Sequence, residues 1–505
     1  MSEMIDQYLD ELETSKEDIK QSLINKGVTP IGGLTSYAEA VDSIKSNLGT
    51  ATVSITKNGT QTITAEEYGY DGMSKVDVTV KVATGGSDKP QIFNGFRFTG
   101  GDIAQVDFSQ YDWSSVYDTS NFFQGCTHST GDWTNFEENF NGDVLNLNYM
   151  FAGTSGQPFN AVKTLPNLGN KTADVTSTAY MCYYNGNFED ASALSQWDTS
   201  KVIDADCMFG IDGSTSNYTP KITSIDLTNF GSPDGYKADY MFGACNELES
   251  VIGARPAGSA ISMFRYCSNL TTIPQLDTSK VTDMRSMFNG CSSLTSIPQL
   301  DTSKVTDMRS MFNGCSSLTS IPQLDTSNVT SIGYMFNECR QLTSIPQLDT
   351  SNVTSIGYMF SGCTSLVELP DFNCVKLTNF LNNTSYSSDS WLYNCPKLQK
   401  IGVVDCDSVT NIIYFFGDSS KTYLTDFGGC RNLGKASSVL NTNNNHFMNY
   451  APNLTYESVM NVINGLYDRA SAGLSVLTLK LHANHLAMLS EDDIAIATNK
   501  GWTIV

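Results

Sequence analysis

Cysteine is the residue type in this chain that is best placed to do chemistry, because it recurs at a fixed interval. All 13 cysteines lie between Cys126 and Cys430, and five of them stand 24 residues apart: Cys267, Cys291, Cys315, Cys339 and Cys363. Zinc sites need ligands that converge at CxxC or CxxH spacing, and the chain has no CxxC. Disulfides need an oxidising compartment. We therefore expect a ladder of buried structural thiols, with disulfides formed after release and metal binding as the alternatives.

Aspartate recurs with the same period at the start of each copy of the repeat. In stacked coils, neighbouring carboxylates would lie about 5 Å apart, and such a row of oxygens could bind calcium. Carboxylates in this position are more often turn caps that accept hydrogen bonds from backbone N–H groups just ahead of them. We favour turn caps over calcium, and calcium over a glycosidase-type pair, for Asp277, Asp301, Asp325 and Asp349.

The sequence contains no constellation of residues that is typical of catalysis. None of the four histidines has a Cys, Asp or Ser partner at motif spacing: His128, His446, His482 and His485. A phosphate-binding loop, a nucleophile elbow and a metalloprotease motif are all missing from the sequence. We therefore predict that the protein is not an enzyme and needs neither a metal nor a cofactor.

Comparison of the clean repeats with one another separates core positions from surface positions. The Met-Phe pair and the cysteine stay fixed, whereas Asp283 becomes Ser331 and Arg285 becomes Gly333 in a later copy. Tyrosine and arginine supply much of the energy of binding surfaces. The candidate ligand-binding residues are therefore Arg285, Arg309, Tyr334, Arg340 and Tyr358. The alternative is a solvated surface that binds nothing, at which residues change freely from repeat to repeat.

Each repeat predicts a helix, a turn, a short strand and a second turn. The apolar residues of 281–288 fall on one side of a short helix, which Asn289-Gly290 would end. Leu294 and Ile297 then predict a strand that Pro298 stops. One such unit cannot bury its own apolar side, so stacked units would build a continuous core. The fixed period therefore predicts an α/β repeat solenoid.

Composition divides the chain into five segments. We expect 1–50 to be a helical attachment or oligomerisation segment, 51–84 a small β module, 85–90 a linker, 91–450 a solenoid of about a dozen coils and 451–505 an α/β cap. The first segment predicts helices over 4–26 and 37–48, and Asn58-Gly59 predicts a hairpin turn. The cap predicts helices at Tyr456–Ala470 and Glu491–Lys500, and strands at Ser475–Leu481 and Trp502–Val505.

Charge and hydropathy argue against two classes of partner. The formal net charge of -23 would repel nucleic acid and anionic lipid. No apolar run approaches the roughly 18 to 20 residues of a membrane span. The first 20 residues have neither the basic leader nor the apolar core of a secretory signal. We therefore expect synthesis in the cytoplasm, no membrane insertion and no binding to nucleic acid.

The repeats resemble a known family. The stretch LDTSNVTSIGYMFSGCTSL at Leu348–Leu366 is similar to the BspA-like leucine-rich repeats of surface proteins from gut and oral bacteria and some of their phages. The resemblance covers about 91–450 and is most specific over 263–370. It implies a right-handed leucine-rich-repeat-type solenoid, a role in adhesion and no catalytic residue.

The ends of the chain resemble a different group of proteins. SITKNGTQTITAEEYGYDGMSKVDVTV at Ser54–Val80 is similar to β modules of phage fibre and tail proteins, and EDDIAIATNKGWTIV at Glu491–Val505 to the closing segment of phage repeat proteins. The resemblance implies a virion protein of the tail or fibre type and, by analogy with fibres, a homo-oligomer. Residues 1–84 would contact other virion proteins, and the solenoid would contact a glycan or protein of the host surface. A capsid or head-fibre decoration protein and a bacterial surface adhesin are the alternatives.

Overall fold

The computed structural model describes residues 59–63, 76–80, 91–93 and 96–98, and then 101–505 except for 143, 154–161, 213–219, 274–275, 379, 381–389, 411–414, 417–422, 434, 436–447 and 449–450. The chain divides into two compact units, Met1–Ala83 and Thr84–Val505. The helices expected over 4–26 and 37–48 and the linker expected over 85–90 lie outside the described residues.

The first unit contains one described pair of antiparallel strands. Strand β1 (Gly59–Ile63) pairs with β2 (Val76–Val80), so that Gly59 lies opposite Val80 and Ile63 opposite Val76. The hairpin turn predicted at Asn58-Gly59 would join β1 to a preceding run at 53–57, which lies outside the described residues, so the turn stays a prediction.

The second unit is built from short strands that pair in parallel. Up to residue 450 its described strands are β3 (Gln91–Phe93), β4 (Asp112–Ser115), β5 (Ser224–Asp226), β6 (Ser250–Ile252), β7 (Gly258–Ser259), β8 (Val281–Asp283), β9 (Glu368–Leu369), β10 (Lys400–Ile401), β11 (Val404–Asp405), β12 (Asp426–Phe427) and β13 (Cys430–Arg431). Strand β3 pairs with β4, β5 with β6, β7 with β8 and β11 with β13, while β10 lies between β9 and β12. One α-helix and four 3-10 helices accompany them: α1 (Thr134–Asn139), Ile103–Gln105, Phe108–Gln110, Gly169–Thr172 and Ser192–Gln196.

Successive coils of the second unit are joined by a ladder of parallel bridges. The ladder runs through Asp118, Asn146, Ser177, Asp204 and Lys237, and then through Ser259, Asp283, Asp307, Ser331 and Ser355. From Asp283 onward the step is the 24-residue period of the sequence. Consecutive repeats that stack in parallel define a solenoid. The expected solenoid is therefore confirmed, with a number of coils that is roughly as expected.

The helix predicted over 281–288 is wrong. Val281–Asp283 is strand β8, and every second backbone N–H group after it bonds to the next coil, while Met287 and Asn289 bond within their own turn. Ser286 donates to the carbonyl of Arg309 at 2.8 Å, and Phe288 donates to that of Met311 at 2.9 Å. A single helical turn is costly to nucleate and forms few bonds of its own. The neighbouring coil offers one carbonyl acceptor to every second residue, so the stacked conformation is more stable than a single helical turn.

The strand predicted over 294–297 is also absent from the described residues, although this segment does stack. Thr295 donates to the carbonyl of Thr271 at 3.2 Å, and Thr319 donates to that of Thr295 at 3.3 Å. The predicted helix and strand have therefore exchanged roles, since the bridged ladder passes through the segment where a helix was expected.

The core of the coils is a stack of identical side chains. The rings of Phe242, Phe264, Phe288, Phe312, Phe336 and Phe360 follow one another with centroids 5.5 to 5.7 Å apart and planes tilted by 6 to 9°. Offset stacking at this distance is favourable beyond the area that it buries. Met287, Leu294 and their equivalents are fully buried around this stack. One repeated sequence thus produces one repeated core.

The C-terminal segment has the predicted α/β composition. It contains α2 (Tyr456–Gly465), β14 (Leu477–Leu479), α3 (Ala483–Leu486), α4 (Glu491–Asn499) and β15 (Trp502–Ile504), with β14 parallel to β15. Helix α4 begins with a capping box between Ser490 and Asp493. Helix α2 ends at Gly465, earlier than expected, and α3 was not predicted. Val459, Val462 and Ile463 of α2 are buried, so this segment covers apolar surface.

Candidate binding surface

A turn that recurs from coil to coil holds a residue with left-handed backbone geometry, and this residue is half-buried in most coils. We call these residues the turn column: Asn121, Tyr149, Tyr180, Cys207, Tyr240, Ser262, Ser286, Ser310, Tyr334 and Tyr358, with φ between 51° and 59°. Residues with a side chain lose about 1–2 kcal/mol in this conformation. The strain is offset because each N–H of the turn reaches a carbonyl of the next coil, as Tyr334 does at 2.9 Å from that of Gly357. Each side chain of the turn column thus leaves its coil from an equivalent backbone position.

The turn column brings two of the candidate residues into direct contact. The rings of Tyr334 and Tyr358 stack with centroids 4.4 Å apart and planes 14° apart. A second stack lies in the earlier coils, where Tyr149 and Tyr180 are 4.8 Å apart. Tyr183 meets Tyr180 edge-on at 5.2 Å. The turn column therefore displays two groups of half-buried tyrosines.

The second tyrosine group was missed in the sequence because its coils are irregular. A signal for it existed, since the tripeptide Tyr-Met-Phe marks the turn column at 149–151, 240–242, 334–336 and 358–360. The related Tyr-Met-Cys stands at 180–182. The irregular coils keep this tripeptide although their spacing drifts.

Two of the candidate arginines lie beside the turn column and are partly neutralised. The Arg285 guanidinium lies 2.9 Å from a carboxylate oxygen of Asp283, and that of Arg309 lies 2.7 Å from Asp307. The hydrogen bond from Arg285 to Asp283 raises the pKa of the arginine further. Exposed pairs of this kind contribute about 0–1 kcal/mol to stability. They orient the guanidinium groups more than they stabilise the coil.

The remaining candidate, Arg340, lies on a different turn. It pairs with Glu338 at 3.0 Å, and Glu338 has a left-handed φ of 59°. Arg340 is therefore not part of the turn column. The structure brings together Tyr334 with Tyr358 and Arg285 with Arg309, and it places Arg340 apart from both pairs.

The cysteines form the ladder that their spacing suggested. All 13 are buried free thiols. Each clean-repeat thiol donates to a phenylalanine carbonyl of the preceding coil, at 3.1 Å for Cys267, Cys315 and Cys339 and at 3.0 Å for Cys291 and Cys363. Burial raises the pKa of Cys291 to about 12 and those of the other four well above the ordinary range. These thiols are structural donors rather than nucleophiles.

The aspartate row acts as a set of turn caps. The Oδ1 atoms of Asp277, Asp301, Asp325 and Asp349 accept the backbone N–H of the serine two residues ahead, at 2.9 to 3.1 Å. Hydrogen bonds from the serine side chain and backbone lower the pKa of Asp301. Three consecutive Gln-Leu-Asp-Thr-Ser segments line an open groove of about 1040 Å³. Within the described part of the chain, no three His, Cys, Asp or Glu residues are grouped so that they could hold a metal ion.

The histidines are dispersed. His128 packs on Trp133 with ring centroids 4.3 Å apart, and His485 is buried with Nε2 at 3.1 Å from the carbonyl of Ala451. His482 lies 5.7 Å from His485, and His446 lies outside the described residues. In the same described part, no helix is both long and apolar enough to span a membrane.

Stacked coils with a core of leucine, phenylalanine and cysteine define a leucine-rich-repeat-type solenoid. A family model described as "Mycoplasma protein of unknown function, DUF285" matches residues 91–217, 146–255 and 258–372, which is more than half of the chain. The chain belongs to this family. Its family match and its repeats support the BspA-like assignment. No curated protein matches the chain in sequence.

Solved structures of other repeat proteins are similar to parts of the chain. They include a leucine-rich repeat protein of T. pallidum, with 19% identity over 42% of this chain and 89% of that one, at a TM-score of 0.24. The functional domain of InlJ from Listeria monocytogenes, described as including a cysteine ladder, has 14% identity over 74% of this chain and 66% of that one, at a TM-score of 0.23. A leucine-rich repeat protein from Bacteroides ovatus has 12% identity over 70% of this chain and 97% of that one, at a TM-score of 0.20. The solenoid assignment rests on the coil-to-coil bonds described above.

Proposed function

We propose that the protein is a phage virion component of the tail or fibre type whose solenoid attaches to the surface of the host bacterium. The observation that carries this proposal is the turn column. It presents tyrosine side chains, with Arg285 and Arg309 beside it, on equivalent turns of a stack whose phenylalanine core is repeated from coil to coil.

The turn column has the physical properties of a binding surface. Its side chains are fixed by the φ of the turn and by stacking on each other, so that less entropy is lost when a ligand binds. Tyr334 takes the place that Ser286 and Ser310 have in earlier coils without a change in the bond from the turn to the next coil. Binding residues can therefore vary while the fold stays constant, as in other proteins that place variable residues on a rigid scaffold.

The virion part of the proposal is supported by the resemblance of the two ends to phage proteins. Residues 1–84 would attach the protein to other virion proteins and associate as a homo-oligomer. The solenoid would contact a host glycan or protein. The working location would then be the virion, after synthesis in the host cytoplasm.

Cell binding by the full chain tests the attachment role. Fluorescently labelled protein is titrated onto a panel of gut bacteria, and the double variant Tyr334→Ser/Tyr358→Ser is compared with it. We expect at least about a ten-fold loss of binding on any strain that binds, since aromatic anchors typically contribute 2 kcal/mol or more. Serine already occupies this turn at Ser286 and Ser310, so the fold is kept.

A matched control removes side chains from another exposed position. Thr319→Ala/Thr343→Ala changes two exposed residues away from the turn column, Thr343 in the coil of Tyr334 and Thr319 in the coil before it. Equal loss of binding by both double variants, or wild-type binding by the tyrosine variant, contradicts the assigned surface. Immunogold electron microscopy of intact phage particles tests the virion assignment independently.

A bacterial surface adhesin is the second candidate, and the family match favours it because the family is described as one of Mycoplasma proteins. Gold label on cells but never on particles would support this candidate. Label on the head would instead support a capsid or head-fibre decoration protein. Neither role requires catalysis, and release of reducing sugar from host glycan by the purified protein would contradict a purely binding function.

A further inference from the structure

The first coils of the solenoid expose a row of side chains that differs from the row in the later coils. We call Tyr117, Leu145, Thr176, Ile203 and Lys237 the N-terminal stripe. Leu145 donates to the carbonyl of Tyr117, Ile203 to that of Thr176 and Lys237 to that of Ile203. The bridge between Asn146 and Ser177 places Thr176 beside Leu145, and Lys237 is at the same time the bridge partner of Asp204. Further along, the same row carries threonines that bond in the same way: Thr282, Thr306, Thr330 and Thr354.

The N-terminal stripe is unusually apolar for an exposed surface. Tyr117 is 54% exposed, Leu145 40% and Ile203 57%. Single exposed apolar residues need no explanation, whereas a contiguous set marks an interaction site. The threonine row shows that the fold itself does not require apolar residues at this position.

The order of residues in the N-terminal stripe is self-complementary. When two copies face each other with their coils running in opposite directions about a two-fold axis, the central Thr176 meets itself. Leu145 then lies opposite Ile203 of the second copy, and Tyr117 lies opposite Lys237. An aliphatic pair and a cation–π pair thus form twice each, as an isologous interface requires.

Charge supports the same pairing. Asp118 follows Tyr117 directly and is half-buried, and Lys237 is exposed and forms no salt bridge among the described residues. The opposed coils bring each Asp118 to a Lys237 of the other copy. The net charge of -23 opposes association, but salt screens it beyond about 8–10 Å, and the two contacts are local.

We propose that the N-terminal stripe is a self-association surface that pairs two copies of this chain antiparallel, with Thr176 at the two-fold axis. Four coil steps make the stripe about 19 Å long. A strip of this length and one or two side chains in width is smaller than the roughly 800 Å² per partner of a stable interface. The dimer is therefore weak and reversible. The inference does not depend on the proposed function.

Site-specific crosslinking of the full chain tests this surface. Thr176→Cys places an exposed thiol at the two-fold axis, and Thr306→Cys places one at the same position of a clean coil as the matched control. The native cysteines are buried, so a short bismaleimide reacts at the introduced thiol. We expect about ten-fold more covalent dimer from Thr176→Cys than from the control, because paired thiols react at high effective concentration.

Charge reversal decides whether the proposed register is correct. In the Thr176→Cys chain, Asp118→Lys alone and Lys237→Asp alone are each expected to reduce the dimer to the control level. The double reversal is expected to restore part of it, because the charge pair forms again while the cation–π pair does not, and this recovery also separates lost pairing from misfolding. Ile203→Asp is expected to abolish the dimer without rescue.

Three results would overturn the proposal. One is equal crosslinking of the Thr176→Cys and Thr306→Cys chains, whether both dimerise through the rest of the protein or neither does. Another is a Thr176→Cys dimer that persists through both single reversals. A chain that stays monomeric when pure but crosslinks to another protein in cells would also exclude self-association, and would reassign the stripe to that partner.

Discussion

The clean coils at 263–370 and the irregular coils at 101–245 form the same structure from different sequences. Both contain turn-column residues of left-handed φ and parallel bridges to the next coil. Phenylalanine stacking extends from the clean coils back to Phe209 and Phe188. The two regions differ in their exposed residues and in the quality of individual bonds. The difference teaches that the backbone ladder and the phenylalanine core define the coil, and that the surface is free to change.

The largest expected effect comes from breaking the stack in the clean coils. Phe312→Ala removes a fully buried ring that stacks on Phe288 and Phe336. We expect a loss of about 3–5 kcal/mol in the free energy of unfolding, as for other buried phenylalanines. Urea denaturation followed by circular dichroism measures it. Phe312→Leu is the control, and a loss equal to that of alanine would show that stacking volume is not what stabilises the coil.

The thiol ladder offers the next comparison. Cys315 donates to its carbonyl acceptor at 3.1 Å in the clean coils, whereas Cys245 lies 4.0 Å from its acceptor at their border. Cys315→Ala should cost about 1–3 kcal/mol, since it removes a hydrogen bond as well as buried volume. Cys245→Ala should cost about 1 kcal/mol less. Urea denaturation of the two variants measures the two losses in the free energy of unfolding. Equal losses would mean that the thiol stabilises the coil only through packing.

The pH dependence should have opposite signs in the two regions. Burial raises the pKa of Asp206, in the irregular coils, from its ordinary value of 3.8 to about 6. Its folded form therefore holds a proton more tightly than the unfolded chain. This contribution to stability is complete below pH 3.8 and is lost as the pH rises through about 6. The irregular coils should gain protection as the pH falls from 7 to 5.

The clean coils carry the opposite shift. Hydrogen bonds from serine lower the pKa values of Asp277, Asp301 and Asp325, so their contribution is present above the unfolded value and is lost only as the pH falls below about 3.9. Hydrogen exchange followed by mass spectrometry at pH 7 and 5, corrected for the intrinsic exchange rate, separates the regions. Asp206→Asn should remove the gain in the irregular coils. If the gain in protection is unchanged in the Asp206→Asn variant, another titratable group causes it.

The smallest expected effect concerns backbone strain in the turn column. Ser310→Gly relieves a left-handed φ of 57° and should stabilise the chain by up to about 1 kcal/mol. Tyr180→Gly relieves a similar φ but loses the stack on Tyr149, so its net effect should be close to zero or destabilising. Thermal unfolding of both variants checks the difference in sign. Equal stabilisation would show that the tyrosine stack contributes nothing to the fold.

The sequence was sufficient for the features that depend on period. A 24-residue step predicts stacked coils, and stacked coils place Cys291 and its equivalents in one column, whatever the local conformation. The helix over 281–288 was predicted wrongly because its apolar spacing also fits a turn that hydrogen-bonds to a neighbouring coil. That choice depends on acceptors 23 residues away, which local periodicity does not report.

The binding surface was only partly predictable, for a related reason. Tyr334 and Tyr358 were found because the clean repeats can be aligned with one another. Tyr149 and Tyr180 were missed because insertions change the spacing of the earlier coils. The N-terminal stripe could not be recognised either, since the interval from Leu145 to Thr176 differs from that between Ile203 and Lys237. Only the three-dimensional stacking of the coils shows that such residues are neighbours.

The bonds of the turn column all have the same direction. Ser262 donates to Arg285, Ser286 to Arg309, Ser310 to Gly333 and Tyr334 to Gly357, so the donor always belongs to the earlier coil. In the turn column, each coil therefore presents acceptors to its predecessor and donors to its successor. A whole coil can be inserted or deleted without leaving an unmatched donor or acceptor in this column. The length of the solenoid can therefore change in evolution without any change at its two ends. The identical copies at 276–299 and 300–323 are what growth by such insertion would leave behind.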